Sequence, residues 1–219
     1  MADLRLKNGS VIQVVGPSGS GKTFFTTRLL SNENMFKLPI KEIYLHSGIA
    51  EGEAGATLKQ LRNLKHLHLV QGLPDGWLDQ PKRHDVIVID DLFDEVNRDA
   101  ASVNQLFTKI ARHREVTVLF LTQNLFHQGG QHRTRNINVH YLVLFKNPRD
   151  RTVIDFLARQ AFPQDRKYLM DVFQDITYET PHGYLFLDFT QDCPEHLRVK
   201  TDIFNTKEGP LFYKQSKAI

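Results

Sequence analysis

The sequence predicts an α/β fold with a central, mostly parallel β-sheet flanked by helices, and three observations lead to this prediction. Short apolar runs alternate with segments of helical periodicity along the chain. Two of these runs, residues 86–89 and 116–121, are uninterrupted apolar sequence, which is typical of parallel strands covered on both faces. Polar residues follow both runs directly, as in open α/β sheets whose sites lie at the carboxyl ends of the strands.

A glycine-rich loop between strand-like and helix-like sequence indicates a function class. Residues 11–15 are apolar, and helix-like sequence follows the loop as far as Leu30. The loop fits the phosphate-binding pattern G-x-x-x-x-G-K-[ST] (Walker A) with Gly16, Pro17, Ser18, Gly19, Ser20, Gly21, Lys22 and Thr23. Glycines let backbone N–H groups surround phosphate oxygens, Lys22 adds charge for the β- and γ-phosphates, and the Thr23 hydroxyl is suited to hold Mg²⁺. The pattern therefore predicts a nucleoside triphosphate site within a P-loop NTPase fold.

Local signals predict the remaining elements. Asn8-Gly9 favours a two-residue hairpin that joins residues 4–7 to residues 10–15. Polar, glycine-bearing sequence at residues 47–56 indicates a flexible connection. Apolar spacing and turn residues predict strands at residues 42–46, 67–70 and 139–145, helices at residues 57–65, 98–113, 151–162 and 164–173, and a last hairpin that pairs residues 176–179 with residues 184–189. We expect one domain over residues 1–219, with a core at 1–147 and C-terminal helices and a hairpin at 148–219.

Composition limits the functions that the chain can have. Its 219 residues include 28 Lys and Arg against 25 Asp and Glu, so any DNA contact must come from a local basic surface rather than a general positive coat. The single cysteine, Cys193, excludes internal disulfides and a cysteine zinc cluster. The first ten residues lack a signal-peptide apolar stretch, and no run approaches the roughly 18 apolar residues of a membrane span. We expect a soluble, intracellular protein that does not associate with membranes.

Polar residues at the ends of the two buried runs are candidates for hydrolytic chemistry. Asp90 ends the first run and is placed to reach Mg²⁺, and the Asp91 carboxylate follows it where a group could polarise the attacking water. Aspartate is one methylene shorter than the glutamate usual at this position, so Asp94 and Glu95 are alternatives, unless they only begin a helix. Gln123 ends the second run, and its amide suits a sensor that contacts both the γ-phosphate and water.

Two pairs of arginines are candidates for stabilising charge in the transition state. Arg112 and Arg114 end the helix before the second run, and Arg133 and Arg135 lie in the loop after it, which also holds Gly129-Gly130. In an oligomer either pair could reach a neighbour's nucleotide. Alternatively, the first pair only complements a helix dipole and the second pair only lies in a surface loop.

Taken together, these residues resemble the FtsK–HerA group of DNA-pumping ATPases. The sequence IARHR at residues 110–114, followed by an apolar strand and Thr122-Gln123, is similar to that group's arginine-bearing helix and glutamine-ended strand. Residues 121–163, LTQNLFHQGGQHRTRNINVHYLVLFKNPRDRTVIDFLARQAFP, and residues 183–204, GYLFLDFTQDCPEHLRVKTDIF, resemble genome-packaging ATPases of poxviruses and other large DNA viruses, most closely those of Polinton/Maverick elements. The matching stretches cover most of the chain.

The resemblance implies a motor that uses ATP and Mg²⁺ to drive double-stranded DNA into a preformed capsid. Such proteins form a homo-oligomeric ring, a pentamer or hexamer, at a capsid or portal vertex, in the host nucleus, at a viral replication site or in the virion. Lys22, Thr23, Asp90, Asp91 and Gln123 carry over to the nucleotide site. Arg112 and Arg114 match the FtsK–HerA helix, whereas Arg133 matches a recurring arginine of the packaging proteins.

Two other function classes compete with this interpretation. A nucleotide kinase also uses the loop GPSGSGKT but has no need of the Asp90-Asp91 pair and a glutamine-ended strand. A nucleotide-dependent switch or assembly ATPase would keep Lys22 and Asp90 without a trans-acting arginine. The loop that contacts DNA also stays open between residues 59–65 and 129–135, with the second favoured because its glycines permit movement.

Overall fold

The structure, a computed structural model, describes residues 3–48, 64–125, 138–150 and 152–214. Their strands form one nine-stranded sheet in the order β3-β2-β4-β5-β1-β6-β7-β8-β9. The strands are β1 (Val11–Val15), β2 (Ile43–Ser47), β3 (Leu67–Gln71), β4 (Val86–Asp90), β5 (Thr117–Thr122), β6 (Tyr141–Phe145), β7 (Tyr184–Asp188), β8 (Val199–Thr201) and β9 (Leu211–Phe212). The first six pair in parallel and the last three extend the sheet antiparallel from β6, so the predicted α/β class with a mostly parallel sheet is confirmed.

Helices pack on both faces of this sheet. They are α1 (Lys22–Ser31), α2 (Phe93–Arg98), α3 (Ala100–Gln105, continued by a π-helical turn at Leu106–Ile110 and a last turn at Ala111–His113), α4 (Thr152–Ala161) and α5 (Arg166–Glu179). Phe25 and Leu29 of α1 are buried on one face, and residues of α3, α4 and α5 are buried on the other. All residues of β1 are buried, as expected for a central strand with helices above and below.

Strand register brings the predicted site residues to one edge. Val15 of β1 pairs with Thr122 of β5, and Asp90 of β4 pairs with Leu121 of the same strand. The carboxyl ends of these parallel strands therefore coincide. Because β5 lies between β1 and β4, Gln123 emerges between the phosphate loop and the acidic pair.

The hairpin predicted across Asn8-Gly9 is wrong. β1 pairs with β5 on one side and β6 on the other, so neither of its edges is free for residues 4–7. Leu6 instead forms an isolated parallel bridge with Phe36. Leu6 N–H donates to the Met35 carbonyl at 2.7 Å, and Lys37 N–H donates to the Leu6 carbonyl at 2.9 Å. The local turn signal was correct, because Asn8 and Gly9 do form a turn, but the predicted partner strand was not.

The predicted C-terminal hairpin is also wrong in its first strand. Residues 176–179 end helix α5, and β7 pairs with β6 and β8. Ile176 is buried in the core and Thr177 donates its hydroxyl to the Phe173 carbonyl, so the helix continues past the predicted end at residue 173.

Most of the predicted helix at 57–65 and most of the connection at 47–56 lie outside the described residues. Within the described part of the chain, no helix is both long and apolar enough to cross a membrane.

Two histidines that the fold holds neutral make its stability sensitive to acid. Burial lowers the pKa of His46, whose Nδ1–H donates to the Gly72 carbonyl at 2.9 Å. Burial and the nearby Lys7 and Arg112 lower the pKa of His140, whose Nδ1 accepts from Val11 N–H at 3.1 Å. Histidines with depressed pKa contribute stability that is complete above the unfolded pKa, about 6.5, and is lost as the pH falls below it.

We therefore expect the free energy of unfolding to fall as the pH is lowered below about 6.5, by at most about 1.4 kcal/mol per pH unit for each histidine. Urea unfolding across this range measures the slope. The variant His140→Gln should flatten it, whereas His196→Gln, at an exposed position, should leave it unchanged. Equal slopes in the wild type and His140→Gln would contradict the assignment.

Candidate nucleoside triphosphate site

The loop after β1 has the geometry of a phosphate cradle. Gly16 N–H donates to the Thr122 carbonyl at 3.1 Å, which fixes the loop to the end of β5. Gly19 and Gly21 have φ of 77° and 111°, in the left-handed region that favours glycine. A Cβ on Gly16 would lie 2.5 Å from Ser20 Oγ and 2.8 Å from Phe145 Cβ, so a larger residue there would have to displace both neighbours.

Helix α1 presents an open amino terminus to this cradle. It begins at Lys22, its N-cap is Gly21 without a side-chain cap, and its first turn contains no acid. The first N–H groups of a helix have no intrahelical acceptor, and they carry partial positive charge. The end of α1 is therefore suited to an anion.

Two side chains inside the loop also fit a polyphosphate. Lys22 Nζ donates to the Gly16 carbonyl at 2.6 Å and the Pro17 carbonyl at 3.1 Å, so its ammonium lies within the loop. Burial lowers the pKa of Lys22, against the attraction of Asp90 and Asp91. Ser20 Oγ is buried and has no hydrogen-bond partner among the described residues, so it is free to donate to a ligand oxygen.

The acidic pair lies beside the loop, at the end of β4. Burial raises the pKa of Asp90, and the charge of Lys22 opposes this rise. A partly desolvated carboxylate next to an ammonium and the amino end of a helix is a reasonable Mg²⁺ ligand, with Thr23 as the second protein group. These residues fit ATP and Mg²⁺, and their ligand roles stay predictions.

The two residues predicted for water activation and phosphate sensing contact each other. Gln123 Nε2 donates to Asp91 Oδ2 at 2.9 Å, across the gap between the ends of β5 and β4. Asp91 has a φ of 52°, and its N–H lies 3.4 Å from the Leu121 carbonyl. Asp94 and Glu95, the alternative acids, lie one turn further on in α2.

The left-handed backbone conformation of Asp91 lowers the stability of the fold. A residue with a Cβ in the left-handed region costs about 1 kcal/mol, and glycine avoids this cost. We expect Asp91→Gly to raise Tm by about 2–4 °C, equivalent to about 1 kcal/mol in a chain of this size, while ATP hydrolysis is lost with the carboxylate. Differential scanning calorimetry and a phosphate-release assay measure the two effects.

Asp202 offers a matched control for this experiment. Its φ of 49° is almost the same, and it lies in the segment after β8. Asp202→Gly should raise Tm by a similar amount and leave hydrolysis unchanged. A fall in Tm in Asp91→Gly alone would show that the carboxylate stabilises the protein rather than strains it.

Arg112 and Arg114 do not join the site within one chain. Arg112 and Arg114 lie at the amino-terminal edge of the sheet, where Arg114 Nη1 donates to the Leu78 carbonyl at 2.8 Å and Arg112 lies close enough to His140 to lower its pKa. Strand β5 separates this edge from Gln123 by about 15–20 Å, at roughly 3.3 Å per residue. Arg133, like the glycines and Arg135 of the same loop, lies outside the described residues. A role in a neighbour's site stays a prediction for all of these arginines.

Sequence reasoning missed one neighbour of the loop. His182, in the turn between α5 and β7, lies 3.2 Å through Nδ1 from the Ser20 carbonyl, although 162 residues separate them in the chain. Because a carbonyl only accepts, Nδ1 carries the hydrogen. No local signal could have found this contact, since it depends on β7 joining the sheet beside β6.

Comparison with solved structures agrees with this fold. The chain is similar to the genome packaging NTPase B204 from Sulfolobus turreted icosahedral virus 2, solved in complex with ATP-gammaS, with a TM-score of 0.55 and 14% sequence identity. The match covers 83% of this chain and 93% of that chain. No family model matches the sequence, and no curated protein matches it. The likeness shows a shared P-loop NTPase fold.

Proposed function

We propose that this protein is an ATPase that translocates double-stranded DNA and packages the genome of a virus or virus-like element into a preformed capsid. The observation that most directly supports ATP hydrolysis is the Gln123–Asp91 hydrogen bond beside the phosphate loop. The packaging role is supported by the fold shared with a genome packaging NTPase and by the sequence resemblance to viral packaging ATPases. A nucleotide kinase has no need of this pair.

The chain's own residues supply the chemistry in this proposal. Lys22 exchanges its bonds to the loop carbonyls for the β- and γ-phosphate oxygens. Thr23 and Asp90 would hold Mg²⁺, which would neutralise charge on the phosphate oxygens. Asp91 orients the attacking water and takes up its proton, while Gln123 fixes the Asp91 carboxylate and contacts the γ-phosphate.

Ring assembly follows from the position of the arginines in this proposal. Arg112 and Arg114 do not stabilise the transition-state charge in their own chain, because both lie at the opposite edge of the sheet from the nucleotide site. A neighbour in a homo-oligomeric ring, a pentamer or hexamer at a capsid portal vertex, would supply Arg112, Arg114 or Arg133. An arginine supplied in this way contributes about 10³–10⁵ in rate.

A phosphate-release assay with and without double-stranded DNA tests the function. We expect DNA to stimulate hydrolysis, rising salt to abolish the stimulation, and specific activity to increase with protein concentration. Arg112→Ala should be inactive alone and regain activity when mixed with Lys22→Ala, because a mixed ring contains intact shared sites. Arg133→Ala is the competing variant, and Arg159→Ala, at an exposed position on α4, is the control.

The opposite result has a clear meaning. Hydrolysis that ignores DNA and protein concentration would contradict translocation and leave the switch interpretation. Transfer of phosphate to a nucleotide in place of water would favour the kinase.

A further inference from the structure

We propose that Phe24 and His182 form the site for the nucleobase end of the nucleotide, an inference that rests on the proposed ATP site. The motif residues of the loop account only for the phosphates. Phe24 and His182 lie next to the loop, are not part of any motif, and are both exposed residues.

The first observation is the position of the Phe24 ring. Phe24 lies in the first turn of α1, two residues after Lys22, and the residue is 62% exposed. Its neighbour Phe25 is only 2% exposed and packs against Tyr184 with ring centroids 5.0 Å apart. Helix α1 therefore buries one phenylalanine and leaves the other in water, at the end suited to phosphate.

The second observation is the contact between His182 and the loop. Besides the hydrogen bond to the Ser20 carbonyl, a Cβ built on Gly21 would lie 3.6 Å from His182 Cβ and Nδ1. The hydrogen bond holds the ring in one orientation while the residue stays exposed. In the neutral ring Nε2 is then an acceptor, which suits a ribose hydroxyl or a base N–H group.

The direction of the nucleotide follows from the strand order. Asp90, Asp91 and Gln123 lie at the ends of β4 and β5, on one side of β1, and they mark the γ-phosphate. His182 precedes β7, on the other side of β1. A triphosphate in the loop with its γ end at Gln123 therefore directs its ribose and base toward His182.

Helix geometry brings Phe24 to the same side. Phe24 and Arg28 are four residues apart within α1, a spacing that places both on one face of the helix. The Arg28 guanidinium lies 4.8 Å from the centroid of the Phe204 ring, which follows β8 and is on the same side of β1 as His182. A Cβ on Gly21 would lie 3.2 Å from Phe145 Cε1 and 3.6 Å from His182 Cβ, so this part of the loop faces β6 and the turn before β7. The Phe24 ring is thus available for stacking on the base, and such stacking changes affinity by about 5- to 150-fold.

Isothermal titration of ATP and of inorganic tripolyphosphate, each with Mg²⁺, separates base contacts from phosphate contacts. We expect Phe24→Ala and His182→Ala to raise the Kd for ATP by at least about 5-fold relative to the Kd for tripolyphosphate. Phe24→Trp should restore ATP affinity, because it restores a stacking surface. The controls are Phe156→Ala, a ring 52% exposed on α4, and His196→Ala, at another exposed position; neither should change the ratio of the two Kd values.

Two results would overturn the roles of Phe24 and His182 without contradicting the proposed ATP site. In one, the wild type binds ATP and both variants bind it equally well. In the other, the variants weaken ATP and tripolyphosphate by the same factor, which means that these residues only shape the loop. A wild type that binds neither ligand would overturn the proposed ATP site itself.

Discussion

Lys22→Ala is expected to reduce ATP hydrolysis by at least about 10²–10³-fold, because it removes the one cation that lies within the phosphate loop among the described residues. The same change should abolish stabilisation by nucleotide. At a concentration of ATP about 100 times its Kd, the wild type gains about 2.7 kcal/mol, which raises Tm by about 5–11 °C. Thermal unfolding with and without MgATP measures this gain alongside the phosphate-release assay.

The fold of the variant should survive the change. Lys22 is half-buried and its pKa is lowered by burial, so alanine removes a partly desolvated charge together with two hydrogen bonds to the loop. We expect Tm without nucleotide to change little. Lys109→Ala, at an exposed position on α3, is the control and should retain both activity and the nucleotide-dependent Tm rise. A Lys22→Ala protein that ATP still stabilises as the wild type would contradict the role of the loop.

Asp91→Asn is expected to lower the rate of hydrolysis by about 10²–10⁴-fold while the protein still binds ATP. The asparagine oxygen can still accept from Gln123 Nε2, and asparagine tolerates the φ of 52° as well as aspartate does. The substitution therefore removes the base and keeps the local structure. Single-turnover hydrolysis and nucleotide titration separate the loss of chemistry from a loss of binding.

Two further variants make this result specific. Gln123→Ala should also slow hydrolysis, since the Asp91 carboxylate loses the donor that fixes it. Asp202→Asn shares the unusual backbone conformation and should retain activity. If Asp91→Asn were active and Asp94→Asn were not, the base would be Asp94, the alternative acid in α2.

Much of the fold could be predicted because its signals are local. The buried strands β4, β5 and β6 were predicted within about two residues from apolar runs. The phosphate loop was recognised because its glycines, Lys22 and Thr23 are adjacent in sequence. Polar residues at the ends of β4 and β5 were found by the same reasoning, and parallel register then brings Asp91 and Gln123 into contact.

The errors arose where a strand's partner lies far away in the sequence. Asn8-Gly9 is a strong hairpin signal, yet β1 had both edges occupied by strands more than 100 residues further on. Residues 176–179 have strand-like composition, but packing of Ile176 in the core keeps them in α5. In both cases tertiary contacts override a local preference.

Periodicity and adjacent residues are enough to predict the α/β class, the phosphate loop and the polar residues at the strand ends. Three features depend on the folded chain: the contact of Gln123 with Asp91, the position of Arg112 and Arg114 at the edge away from the loop, and the contact of His182 with Ser20. Each depends on strand order, which is set by long-range burial and pairing that no local segment records.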